Sequence, residues 1–217
     1  MIHPKIIAPS LFSADMLCLQ QELDSIRESG GKWIHLDVMD GSFVPNFFLS
    51  PKTISDIRRG TNLFLDTHLM IEQPQKHLEL FTQAGASSIT VHYEAHPQPK
   101  ILLDAIHQLG LSAGVALVPQ TAIDSIFPLL TLVDLVLVMS IQPGIQGQSF
   151  QTEAIGRVQK LDAYRRLNHL SFQISVDGAI SEKNAPALFN AGADVLVVGR
   201  AFFEAKDRKA FIQSIIQ

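Results

Sequence analysis

Eight short stretches of this chain are nearly unbroken runs of apolar residues, and each is followed by a longer amphipathic stretch. They are Lys5–Ser10, Trp33–Asp40, Leu63–Met70, Ser87–Glu94, Ala113–Val118, Asp134–Ser140, Gln173–Gly178 and Asp194–Gly199. Val, Ile and Leu dominate them, as expected of strands buried on both faces in a parallel sheet. The stretches between carry helix punctuation. Ser13-Ala14-Asp15 opens one and Gly30-Gly31 closes it, while Pro74 sits in the first turn of another that ends at Ala84-Gly85. Ser181–Asn184 opens a further helix that stops at Ala191-Gly192, and the near-repeat AGAS at 84–87 and AGAD at 191–194 marks the same junction twice. Eight rounds of strand and helix predict an α/β fold of the closed (β/α)₈ TIM-barrel type. The alternative, a doubly wound open sheet, would carry a glycine-rich dinucleotide fingerprint after the first strand, and there is none.

The sequence has no linker and no low-complexity tract, so residues 1–217 are expected to form one catalytic barrel domain. Hydrophobic residues make up 47% and charged residues 18%, which supplies a large core and argues against disorder. A net charge of -4 with no basic stripe gives no support for a nucleic-acid or anionic-membrane partner. Apolar runs such as Leu135–Met139 fall far short of the roughly 20 residues of a membrane span. The opening Met-Ile-His-Pro-Lys lacks a signal-peptide apolar region, so a soluble cytoplasmic protein is expected. Cys18, the single cysteine, excludes an internal disulfide and is expected to be a small buried hydrophobe on an early helix.

Polar residues interrupt this core at one end of the strands. Alternate residues of a strand share a face. His35, Asp37 and Met39 therefore lie opposite the aliphatic Ile34, Leu36 and Val38, which suit the layer beneath the helices. Asp66, His68 and Met70 repeat the arrangement against Leu65, Thr67 and Leu69, and Ser175 and Asp177 alternate with Ile174 and Val176. Two inward carboxylates in one cavity are costly unless a cation compensates them. His35, Asp37, His68 and Asp177 are thus a candidate ligand set for Zn²⁺, Mn²⁺, Fe²⁺ or Co²⁺. Asp66 lies lower and is expected in a structural ion pair, while His92 is balanced between a hydrogen-bonded core histidine and a site residue. Met39, Met70 and Met139 are expected to form an apolar ceiling over the cation.

Glycine-bearing loops follow the last three strands: Ser140–Ser149, Gly178-Ala179-Ile180 and Gly199-Arg200-Ala201. Around one barrel mouth such loops offer backbone amides to an anion.

The chain resembles the ribulose-phosphate 3-epimerase family along essentially its whole length. The likeness is carried by IAPSLFSAD at 7–15, WIHLDVMDGSFVPN at 33–46, THLMIEQP at 67–74, GVALVP at 114–119, DLVLVMSIQPG at 134–144, VDGAI at 176–180 and AGADVLVVG at 191–199. The resemblance implies an isomerase that interconverts D-ribulose 5-phosphate and D-xylulose 5-phosphate through a metal-stabilised enediolate. In it His35, Asp37, His68 and Asp177 hold the metal, Asp37 and Asp177 act as acid and base, and Ser10, His68 and Asp177 meet substrate. The phosphate site falls on Gly144, Ile145, Gln146, Gly147, Gly178, Ala179, Gly199 and Arg200. A homo-oligomer and a place in the pentose phosphate pathway of carbohydrate metabolism also follow from the resemblance.

The sequence departs from the family pattern at the phosphate end alone. Gly-Ile-Gln-Gly at 144–147 replaces Gly-Phe-Gly-Gly, Gly178-Ala179 replaces Gly-Gly, and Arg200 stands where a small Ser or Thr is usual. Arg200 either adds a guanidinium contact to phosphate or pairs with Glu204 one helical turn on. The departures leave two alternatives open, a 3-epimerase of a related ketose phosphate such as allulose 6-phosphate and a weakly catalytic sugar-phosphate-binding paralogue.

Overall fold

The computed structural model describes residues 3–216. Eight parallel strands form its wall: β1 (Ile6–Pro9), β2 (Trp33–Asp40), β4 (Phe64–Met70), β5 (Ser88–His92), β6 (Ser112–Leu117), β7 (Leu135–Met139), β8 (Gln173–Asp177) and β9 (Val195–Val198). A two-residue strand, β3 (Phe47–Phe48), pairs antiparallel with the end of β2. The sheet order is β1-β9-β8-β7-β6-β5-β4-β2-β3, and a parallel bridge between Ser10 and His35 brings β1 beside β2 to close the ring. Every expected strand is present, with ends within two residues of those read from the sequence.

The connections are α1 (Leu19–Glu28), α2 (Pro51–Gly60), α3 (Leu78–Gln83), α4 (Pro99–Gln108), α5 (Glu153–Leu167), α6 (Ala185–Ala191), α7 (Arg200–Phe203) and α8 (Arg208–Ile216). Some boundaries follow the punctuation in the sequence, but Pro74 and Ser13–Asp15 precede short 3₁₀ turns, and α3 and α1 begin only at Leu78 and Leu19. The Ser50 hydroxyl caps α2 with Pro51 at its first position, and Gly192 ends α6 at φ 111°, a left-handed conformation that costs glycine little.

The strict eightfold alternation breaks once. Between β6 and β7 the chain runs as a 3₁₀ segment, Ile123–Leu129, with no α-helix. Pro128 lacks an amide donor and its ring would clash with the preceding turn, so an α-helical ladder cannot run through so short a segment. Ile123 and Ile126 are nonetheless buried and cover the sheet there. Cys18 also departs from expectation. It ends a 3₁₀ turn (Met16–Cys18) ahead of α1 and is exposed, because the helix begins one residue later and turns Leu23 and Ile26 inward instead.

Strand alternation sorts the core into two volumes. The outward set, including Ile34, Leu36, Leu65, Leu69, Val136, Val138, Ile174 and Val176, packs beneath the helices. The inward set is apolar on one side, where Ala8, Ala116, Leu137, Val195 and Val197 cluster with Met139. On β2, β4 and β5 it is polar: His35, Asp37, Asp66, His68, Thr90 and His92 are all buried. Gly114 on β6 makes room for the Thr90 side chain, since a Cβ there would lie 2.2 Å from Thr90 Oγ1.

A buried ion network fixes the start of the last two strands. Arg165 of α5 donates to Asp194 Oδ2 at 2.5 Å, Asp162 Oδ1 at 2.8 Å and the Phe172 carbonyl at 2.8 Å, and Asp194 Oδ2 also accepts the Ile174 amide at 2.8 Å. Replacing Arg165 with Met would leave the buried Asp194 carboxylate without its cation and Asp162 with Arg166 alone. A loss of about 3–5 kcal/mol is expected in denaturant unfolding, and a loss below about 1 kcal/mol would show that the network is not needed to seat β8 and β9.

Candidate active site

Strands β2, β4 and β8 deliver His35, Asp37, His68 and Asp177 to one place: an Nδ1, Nε2 or carboxylate oxygen of each lies within 4.8 Å of those of the others. Register explains it, because Asp37 pairs with His68 across β2 and β4 while Asp177 ends β8 beside Met139. Asp37 and Asp177 stand across the mouth from each other, with β1 and β9 between their strands on the shorter way round.

The donor atoms present themselves as a cation site. Asp37 Oδ1 is 3.5 Å from His35 Nε2 and 3.4 Å from His68 Nδ1, yet both ring nitrogens are buried without a hydrogen-bond partner. Ligands about 2.1 Å from a tetrahedral ion sit about 3.4 Å apart, so these spacings suit a divalent metal. The outer atoms are tied back. His35 Nδ1 meets Asp66 Oδ2 at 2.8 Å, Asp66 Oδ1 accepts from Ser88 Oγ at 2.9 Å, and Ser10 Oγ donates to Asp37 Oδ2 at 2.6 Å. Such partners orient metal ligands and set the histidine tautomer. Asp66 is thus the structural partner expected of it. His92 is a fully buried histidine that contacts His68 at 2.8 Å and stands outside the four-residue cluster.

Without a cation the cluster carries unequal protons. Burial, reinforced by the nearby Asp37, pushes the Asp177 carboxyl up to about 7. Burial also opposes charge on Asp37, but His35 and His68 outweigh it and hold that carboxyl well below its usual range. Burial resists protonation of His35, yet Asp37 and Asp66 raise it well above an ordinary imidazole. Burial leaves His68 low, at about 4.

A cavity of about 670 Å³ opens above Asp37 and Asp177. Met39, Met70 and Met139 line it while nearly wholly buried, though as two groups: Met39 and Met70 pack with Val44, and Met139 with the apolar interior. Ser10 also lines it. His68, expected to meet substrate, is fully buried and is not among the residues lining the cavity; its Nδ1 lies 3.4 Å from Asp37 Oδ1.

The expected loops also line this cavity. Gly144, Ile145, Gln146 and Gly147 line it, as do Gly178, Ala179, Gly199 and Arg200. The first loop is folded by Gln148, which sequence reasoning passed over. Its side-chain amide donates to the Gln142 carbonyl at 2.7 Å and the Ile145 carbonyl at 2.8 Å, and its oxygen accepts the Gln142 amide at 3.1 Å. Among the described residues, the amides of Ile145, Gln146, Gly147 and Ala179 find no acceptor in the protein. Ala179 adopts φ 50°, a left-handed conformation usually left to glycine. Among the described residues, Arg200 is the only Lys or Arg on the cavity wall, and it forms no ion pair with Glu204.

These proton affinities make a prediction about the metal-free protein. Asp177 and His35 both bind protons more tightly folded than unfolded, so above about pH 6.5, where the low His68 no longer opposes them, stability falls as pH rises through their folded values. A cation needs those protons gone, so its stabilisation should grow over the same window. Thermal unfolding from pH 6.5 to 8, with chelator and with added Zn²⁺ or Co²⁺, should show the two curves diverging. Parallel curves would remove the cation from this cluster.

Residues 6–203 match the model of the "Ribulose-phosphate 3 epimerase family". The chain is 44% identical over 201 residues to the ribulose-phosphate 3-epimerase of Chlamydia muridarum, covering 92% of this chain and 88% of that one. It is 37% identical over 210 residues to that of Bacillus subtilis, covering 96% and 97%. In fold it matches KGPDC from Streptococcus mutans, with a TM-score of 0.72 at 15% identity over 97% of each chain. The tryptophan synthase alpha-subunit of Pyrococcus furiosus matches with a TM-score of 0.70 at 13% identity, over 99% of this chain and 98% of that one. Both are likenesses of fold alone. With the family model spanning the strands that build the four-residue cluster, the chain belongs to the ribulose-phosphate 3-epimerase family and is an isomerase.

Proposed function

We propose that this enzyme interconverts D-ribulose 5-phosphate and D-xylulose 5-phosphate by moving the proton at C3. The observation that carries this reading is the meeting of Asp37 and Asp177 from opposed strands beside two buried, unpartnered imidazole nitrogens. Inverting a carbon requires a proton taken from one face and another given to the opposite face, which two carboxyls across a barrel mouth supply. Their unequal proton affinities suit the task, one ready to accept while the other donates.

His35, Asp37, His68 and Asp177 would hold a divalent Zn, Fe, Mn or Co ion, which when bound polarises the C2 carbonyl and offsets the charge of the enediolate. Ser10 steadies Asp37, which must return to one position after each transfer. Met39, Met70 and Met139 exclude water from the reacting carbons. The phosphate lies against the amides of 145–147 and Ala179, with the Arg200 guanidinium as the one side-chain cation. Gly144, Gly178 and Gly199 let the backbone come close to it. In this reading the protein works in the cytoplasm as a homo-oligomer of the pentose phosphate pathway.

A second reading keeps the chemistry and changes the sugar. Gln146, Ala179 and Arg200 line the same cavity as the carboxyls, so they could set the length of the accepted ketose phosphate. Allulose 6-phosphate is the six-carbon candidate.

Incubation of metal-loaded protein with ribulose 5-phosphate in deuterated water should place label at C3 and form xylulose 5-phosphate. Label on a hexulose phosphate alone would select the second reading, and no label on either would defeat both. Asp177→Asn should lower kcat by about 10²- to 10⁴-fold with the fold retained, and near-normal turnover would rule out the two-carboxyl relay. Arg200→Ala should raise KM about tenfold with kcat nearly unchanged, as expected for an exposed charged contact. An unmoved KM would leave phosphate binding to the backbone.

A further inference from the structure

The two histidines of the cluster are held from behind in different ways. His35 has a carboxylate directly on its outer nitrogen. His68 has a second imidazole there instead: His68 Nε2 lies 2.8 Å from His92 Nε2, and both side chains are fully buried. Beyond it, His92 Nδ1 lies 3.2 Å from Glu94 Oε2. Glu94 Oε1 in turn accepts the Val118 amide at 3.0 Å and the Thr121 hydroxyl. Arg157 clamps the same loop, donating to the carbonyls of Val118 and Thr121, each at 3.1 Å.

Proton counting gives this chain a direction. Two imidazole nitrogens at hydrogen-bond distance share one proton, so one must donate and the other accept. An ionised carboxylate only accepts, and Glu94 already takes donors on Oε1, so the His92 nitrogen facing Oε2 must be Nδ1–H. A neutral His92 then offers a lone pair at Nε2 and takes its proton from His68 Nε2. A neutral His68 that carries its proton on Nε2 has a bare lone pair on Nδ1. That is the very atom left without a partner 3.4 Å from Asp37 Oδ1. The reverse polarity would place a proton on His68 Nδ1 and close that ligand position.

We propose that Glu94 and His92 are a positioning pair that holds His68 in its Nε2–H tautomer and so keeps Nδ1 open to the cation. This rests on the cation site proposed above. It extends that site from β4 through β5 to the loop after β6, and makes Glu94 the remote counterpart of Asp66.

Glu94→Gln tests it, because a carboxamide cannot match donors on both sides. Its NH₂ group must face either His92 Nδ1–H or the Val118 amide. Chelator-competition titration with Co²⁺ should show affinity weakened by about 10- to 100-fold, together with a changed visible spectrum of the bound Co²⁺. Imidazole ¹⁵N shifts of wild-type Zn²⁺-loaded protein should report His92 protonated on Nδ1 and bare on Nε2, a readout that needs no variant. His92 protonated on Nε2 or on both nitrogens, or a folded Glu94→Gln protein with wild-type Co²⁺ affinity, would overturn the pair while leaving the cation site standing. Failure of the wild-type protein to bind Co²⁺ at all would overturn the cation site and the pair with it.

Discussion

Closure of the sheet between Ser10 and His35 forces every second side chain of eight strands into one shared interior. That volume must be filled, and any charge in it must be answered there, because burial makes an uncompensated carboxylate costly. On β1, β6, β7 and β9 the demand is met with small and aliphatic side chains. On β2, β4 and β5 it is met with imidazoles, carboxylates and hydroxyls that answer one another in pairs, except at the few atoms turned toward the mouth. The unanswered atoms are what make the interior reactive. The fold and the site are in this sense one consequence of the same alternation.

Much of this was legible in the chain because period-2 alternation survives in the sequence. The pure aliphatic set Ile34, Leu36 and Val38 identifies the outer face of β2 without any coordinates, and so places His35 and Asp37 inside. Asp66 could be told from the ligands by its height on the strand. The 3₁₀ segment Ile123–Leu129 was not legible, because its buried isoleucines keep a helix-like spacing and only Pro128 opposes an α-helix. Strand β3 is two residues long and carries no periodic signal at all. Cys18 was misplaced because the segment opened by Ser13-Ala14-Asp15 first runs as a 3₁₀ turn, and the α-helix begins only at Leu19, which leaves the thiol in solvent.

The site's outer partners were harder to read than its ligands. A His-x-Glu spacing such as His92 and Glu94 is unremarkable in a sequence, and its meaning depends on which ring nitrogen meets which neighbour. The same holds for Ser10, whose hydroxyl serves Asp37, and for Gln148, whose amide folds a glycine loop from within. These are contacts between residues far apart along the chain or around a turn, and no local pattern announces them.

Three of the four clustered residues, and the side chains that directly meet their outer atoms, fall between Ser10 and His92, whereas Asp177 comes from the far part of the chain. The first part of the chain can assemble a three-donor half-site from contacts among β1, β2, β4 and β5 alone. The fourth donor arrives only when β8 and β9 have joined the wall and β1 has met β9. A cation bound to all four therefore favours the completed ring over any partly assembled one, with a free energy set by its concentration relative to its dissociation constant. It acts as a reversible cross-link over a very long loop, the kind of closure for which chain entropy offers the largest return. The cation proposed here as an aid to proton transfer would, by its placement, also clasp the topology.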